Sequence, residues 1–234
     1  MIAKLLAAIT KKKAANSTLF GEKPKVRIDE SWPLGIKLGR TVVLEQTPFL
    51  LADNSEVKFP GEDNVIKAVG IAEPAIAEGV KVFRIYLQKV AGEEESVLQI
   101  SVDKKTDEVL ESILYRLAWE IFPASSEEVA LWMNEENGML GWKDMKTPTE
   151  NKYERVTPFA NKDMVKPFPW REHFTDDPHI ANILHIDYGS VVYGRELNEQ
   201  TTEYLLVSKV EEEGSTSIKI YAGITIDSGF IKIL

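Results

Sequence analysis

The sequence predicts an α+β fold: an antiparallel β-rich meander flanking a two-helix segment, with a long proline-rich loop behind the helices. Three observations lead there. Short apolar segments recur between residues 41 and 102 and again between 186 and 234, many of them alternating. Residues 107–133 instead carry apolar residues at helical spacing. Pro148, Pro158, Pro167, Pro169 and Pro178 crowd residues 143–182, where long regular elements are therefore not expected.

Taken in order, Ile2, Leu5, Leu6 and Ile9 fall on one face of a short N-terminal helix, with Lys4 and the run Lys11, Lys12 and Lys13 mostly off that stripe. Residues 14–32 read as a polar linker. This gives two predicted units, a basic amphipathic arm and linker over 1–32 and a single globular domain over 33–234. The domain opens on a short bent strand at 33–39, a strand at 41–44, and a hairpin formed by 48–51 and 56–59. Strands follow at 65–71, 80–88 and 97–102, the last two as an antiparallel pair joined by the acidic turn 92–95.

Val109, Leu110, Ile113, Leu114, Leu117 and Ile121 predict a first helix, capped by Thr106 or Asp107 and ended by Pro123. Ser125 or Ser126, followed by Glu127 and Glu128, predicts a second helix through Met133. Beyond it, residues 143–182 are expected to be irregular apart from a short strand at 153–156. Strands return at 186–193, 203–210 and 217–226, with a last short one at 230–234.

Composition narrows the function classes. The chain has no cysteine, which removes disulfides, thiolate nucleophiles and Cys-type metal sites and fits a reducing, cytoplasmic compartment. A net charge of −9 argues against general nucleic-acid binding, which needs phosphate neutralisation. The charge is uneven: residues 1–27 carry +6 and the remainder −15. A basic amphipathic helix either lies peripherally on the inner membrane or a partner protein, or packs its stripe on the protein's own core. Both readings are open. The first makes Ile2, Leu5, Leu6, Ile9, Lys4, Lys11, Lys12 and Lys13 the contact residues.

His173, His179 and His185 share one stretch with Asp176, Asp177 and Asp187, side chains suited to zinc, manganese or iron. Their six-residue intervals match neither the i, i+4 helical pair of zinc hydrolases nor the i, i+2 spacing of alternate strand positions, so no metal site and no cofactor are expected. The aromatic run Trp170 to Phe174, with Trp142, Phe159 and Phe168 nearby, fits a plug packed on the core better than a binding platform. Glutamate runs at 93–95 and 211–213 read as solvated hairpin tips. No phosphate loop, nucleophile elbow or paired-histidine zinc motif is present, which leaves catalytic residues unassigned and the enzyme question leaning to no. An alternative is an enzyme or small-molecule-binding domain with its site between the sheet and the 143–185 loop.

Several weak motifs in order give a resemblance. Pro33 to Gly39 leads to Val42, Pro48 and Phe49; Phe59-Pro60-Gly61 precedes Ile66 to Gly70; Tyr153 to Val156, Tyr204 to Ser208 and Ile218 to Ile226 follow. The combination resembles the bacterial YjfK-like family, a domain of unknown function, over about residues 33–234. The resemblance implies an uncharacterised cytoplasmic protein encoded beside membrane-stress genes. It suggests a non-enzymatic accessory or adaptor role at the inner membrane surface, and it supplies no catalytic residues.

Overall fold

The computed structural model of the protein describes residues 2–16, 26–73, 78–92, 94–133, 138–156, 162–181, 183–199, 201–212 and 215–234. Strands take up 51% of the described residues and helices 18%, and this balance overturns the α+β expectation. The protein is a closed antiparallel barrel. Its ring runs through β2 (Asp63–Glu73), β3 (Val80–Lys89), β4 (Glu95–Asp103), β5 (Val109–Ile121), β11 (Ser215–Thr225), β10 (Thr201–Glu212), β9 (Leu184–Asn198) and β8 (Phe168–Thr175). The last of these, β8, pairs with both β9 and β2 and so shuts the ring. Four short strands extend it: β1 (Thr41–Leu44) and β12 (Ile231–Ile233) beyond β2, and β7 (Lys152–Arg155) and β6 (Asp144–Lys146) beyond β9.

Closure depends on a bend in β2. Its first residues, 63–65, pair with β1, and residues 69–73 pair with β8. Between them the register with β3 slips from Ile66 to Ala68, a bulge that sharpens the local twist and re-aims the strand.

Two sequence expectations fail here for definable reasons. The predicted first helix, Val109 to Ile121, is β5, the longest strand of the ring after β9. Ile113 and Tyr115 are buried on one of its faces and Leu114 on the other. A strand apolar on both sides offers matches to a 3.6-residue period as readily as to alternation. Its aromatic and β-branched content (Val109, Ile113, Tyr115, Trp119, Ile121) is that of a strand. The segment 143–182, expected to be irregular, contains β6, β7 and the closing strand β8. Pro169 is tolerated because the β2 ladder begins only at Arg171, so the strand is paired on one side there.

The helices are α1 (Ile2–Asn16), α2 (Thr47–Leu51) and α3 (Ser126–Met133). The last is the predicted second helix. Ser125 Oγ accepts from the Glu128 N–H at 3.2 Å while the Glu128 carboxylate accepts from Ala124 N–H at 2.7 Å, a reciprocal cap. The predicted hairpin at 48–59 is instead α2 followed by irregular chain, and the predicted strand at 33–39 is a 3-10 turn with Leu34 at φ 56°. The strands expected at 41–44, 65–71, 80–88, 97–102, 153–156, 186–193, 203–210, 217–226 and 230–234 correspond to β1, β2, β3, β4, β7, β9, β10, β11 and β12.

Both faces of the barrel wall are buried along most of its circumference. On one face, side chains of strands that are not neighbours meet, which marks it as the interior: the Arg84 guanidinium of β3 lies 5.4 Å from the Tyr221 ring of β11. The other face carries Phe83, Ile85, Leu98, Ile100, Leu205 and Val207, packed in one cluster with Trp32, Ile36, Val57 and the β1 and β12 side chains. Residues 28–59 thus wrap the outside of the wall.

Candidate functional site

At one mouth of the barrel sits α1. Ile2, Leu5 and Ile9 are buried and form a cluster with Ala68, Tyr86, Val97, Ile113, Tyr115, Phe174 and Leu206, which line the interior from six different ring strands. The helix therefore plugs the barrel with its apolar stripe, with Leu6 half-buried beside it. Carboxylates of the body hold both ends. The Ile2 and Ala3 N–H groups donate to Glu95 at 2.7 and 3.3 Å, a cap supplied from β4 because the first turn of α1 has no acid of its own. Near the other end, Lys13 Nζ lies 2.6 Å from Asp176 and 3.8 Å from Asp177. Lys4 adds a longer contact to Glu120 at 3.9 Å and lies 5.4 Å from the Phe122 ring. Lys4, Lys11 and Lys12 are exposed on the outward side. The basic helix α1 thus meets acidic side chains of the barrel at Glu95, Glu120, Asp176 and Asp177.

Below the plug the interior turns polar. Arg84 and Glu172 are fully buried and paired at 3.0 Å, and Glu172 also accepts from the Tyr86 hydroxyl at 2.9 Å. Burial pushes the Glu172 carboxyl upward against the pull of Arg84 and of the Tyr86 and Tyr188 hydroxyls. The Arg84 guanidinium faces the rings of Trp170, Tyr221 and Tyr86 at 5.3, 5.4 and 5.8 Å, a stack of cation–π contacts. Trp170 stacks on Tyr188 at 4.2 Å and donates to Ser190, whose hydroxyl meets that of Ser208 at 2.7 Å. Gly70 is required at this level, since a β-carbon there would stand 1.9 Å from Glu172 Oε1. The Arg84 and Glu172 charges compensate one another, while Arg84 Nε and Nη2 have no hydrogen-bond partner among the described residues.

The aromatic run 170–174 is distributed by strand alternation. Trp170, Glu172 and Phe174 point inward, while Arg171 and His173 lie on the outer face. Of the related aromatics, Phe168 packs at the rim, Trp142 is about half exposed, and Phe159 lies outside the described residues. Of the three histidines, β8 and β9 bring two together: His173 pairs with His185 across the ladder, their rings 6.1 Å apart. His179 is elsewhere, with Nδ1 3.3 Å from the Val26 carbonyl, and Asp176 and Asp177 face Lys13. Asp187 forms a two-pronged pair with Arg171 at 2.6 and 2.9 Å, which lowers its carboxyl below the ordinary range. Among the described residues no group of three or more histidine or acidic side chains is arranged to hold a metal ion. The glutamate runs divide: Glu94 faces Lys89 and Glu211 faces Lys209, Glu95 caps α1, and Glu93 and Glu213 lie outside the described residues.

A shallow cleft of about 370 Å³ lies on the outer wall, between the start of β9, the end of β10, residues 165–167 and Met133 at the end of α3. Lys166, Asp187, Lys209 and Glu211 edge it. The alternative expectation, a site between the sheet and the 143–185 segment, corresponds to open space here.

The interior set was missed by sequence reasoning. Its signal was available in Phe168, Trp170, Glu172 and Phe174, alternate positions with one acid among large aromatics, and in Arg84 between Phe83 and Ile85. Both are what a strand buried on two faces looks like when one face holds a paired charge.

The fold and its surfaces define a closed antiparallel barrel plugged by a basic N-terminal helix. The chain belongs to the family described as Protein of unknown function (DUF2491), whose model matches residues 9–232. The match therefore takes in the second half of α1 rather than starting at the globular domain. No curated protein and no solved structure matches the chain. No helix among the described residues is long and apolar enough to cross a membrane.

Proposed function

We propose that the protein is a non-enzymatic accessory protein of the bacterial cytoplasm, linked to envelope stress, that docks peripherally on the anionic inner-membrane surface through α1. The supporting observation is the sidedness of α1: its apolar stripe faces the barrel while Lys4, Lys11 and Lys12 face outward. Each basic residue near an anionic leaflet contributes roughly 1 kcal/mol, so three or four on one short helix give a weak, salt-sensitive attachment. Co-sedimentation with phosphatidylglycerol vesicles at low salt tests the reading. The wild-type protein is expected to bind and the K4E/K11E/K12E variant to stay in solution. Equal binding by both, or none by either, overturns it.

A second reading takes the outer-wall cleft as a small-molecule site. A volume of about 370 Å³ suits a molecule of amino-acid size, whose charged groups would compete with the Arg171–Asp187 and Lys209–Glu211 pairs at the edge. Thermal melts across the free amino acids test this; a melting temperature unmoved by millimolar ligand throughout the set removes the reading.

A further inference from the structure

We infer that α1 is a latch with two competing seats, the barrel mouth and an anionic bilayer, so that membrane attachment uncovers the barrel. This rests on α1 being the membrane-directed element and concerns how that element is regulated. The stripe that would enter a bilayer, Ile2, Leu5 and Ile9, is the stripe buried in the mouth. The outward side of the seated helix offers Ala3, Ala7, Thr10 and the lysines, with no large apolar side chain. Seated, α1 can touch a membrane only through charge; to insert, it must leave the barrel.

The contacts that hold it are of a kind that lipid phosphates can replace. Carboxylates of Asp176 and Asp177 hold Lys13, Glu120 lies near Lys4, and the Glu95 carboxylate takes the first N–H groups of the helix. An anionic leaflet offers the same charge to the same donors. Exchange of seats therefore trades like for like at both helix ends, and the balance turns on whether the stripe prefers lipid or the mouth. Departure of α1 would bare Tyr86, Val97, Tyr115 and Phe174, an aromatic-lined opening available to a partner only at the membrane.

The chain is free of cysteine, which permits a clean tether. The full-length K13C/D176C variant is compared before and after bridging with a short bis-maleimide, bridging being verified by mass, on phosphatidylglycerol vesicles. The latch requires the bridged protein to bind about tenfold or more weakly than the same variant unbridged. Equal binding by the two forms overturns the latch and leaves lysine-face docking standing. Absence of binding by the wild-type protein at low salt overturns the docking reading and the latch with it. Loosening the N-terminal clamp gives an independent check: Glu95→Gln is expected to bind the vesicles several-fold more tightly than wild type, and unchanged affinity counts against the latch.

Discussion

Arg84 and Glu172 are fully buried in the barrel interior, and each is the other's charge partner. Glu172→Gln leaves the guanidinium uncompensated and is expected to cost about 3–5 kcal/mol in a denaturant titration. The double change Arg84→Met with Glu172→Leu should recover most of that loss, because removing both charges removes both desolvation penalties. Gly70→Ala should cost about 1–3 kcal/mol, the crowding being against Glu172 itself. Asp29 behaves differently. Burial alone would raise its carboxyl, but the Arg27 guanidinium and the Leu38 N–H donate to it and hold it below the ordinary range. A depressed folded-state value means that stability is present above the unfolded-state value and lost as pH falls through the folded one. Asp29→Asn should therefore lower stability at neutral pH and flatten the acid limb of a melting-temperature profile, most visibly below about pH 4.

At the scale of elements, α1 and β5 show what sequence patterns can and cannot carry. The stripe of α1 was legible because its helix is apolar on one side only. Its seat was not, because the mouth of the barrel is assembled from strands up to two hundred residues away in the chain. Ile9 is wholly buried there, and Ile9→Ala is expected to destabilise α1 docking by about 2–4 kcal/mol. Loss of protection of the α1 amides in hydrogen exchange, with the ring strands unchanged, is the corresponding measurement. The error at β5 came from the opposite circumstance, burial on both faces, which erases the alternation that identifies a strand. β8 was hidden by Pro167 before it and Pro169 within it, although the alternation of Trp170, Glu172 and Phe174 was present throughout. The hairpins β3–β4 and β10–β11 were readable because their acidic tips interrupt two alternating runs.

Across the whole molecule, closure of the ring sets a gradient of local stability. Each ring strand is hydrogen-bonded on both sides, whereas β12 and β6 are bonded on one side only. Native-state hydrogen exchange is expected to find the slowest amides in β3, β4, β5, β10 and β11, and earlier opening in β6, β7, β12 and β1. Uniform protection across all twelve strands would contradict this ordering. The outward face of β8 and β9, with Arg171, His173, His185 and Asp187, is polar and charged, not the apolar band that a membrane-spanning barrel presents to lipid.

The same two terminal strands also govern how the protein meets copies of itself. A barrel hides its backbone donors and acceptors from other chains, and here the only open margins among the described strands, β6 and β12, are three residues long. Asp144 and Lys146 on one and Lys232 on the other place charges along those margins. A foreign strand could gain only a few hydrogen bonds at either, against charge. A protein that is half strand, and has no disulfide to fix it, is in this way guarded against fibril growth by the shortness of its edges.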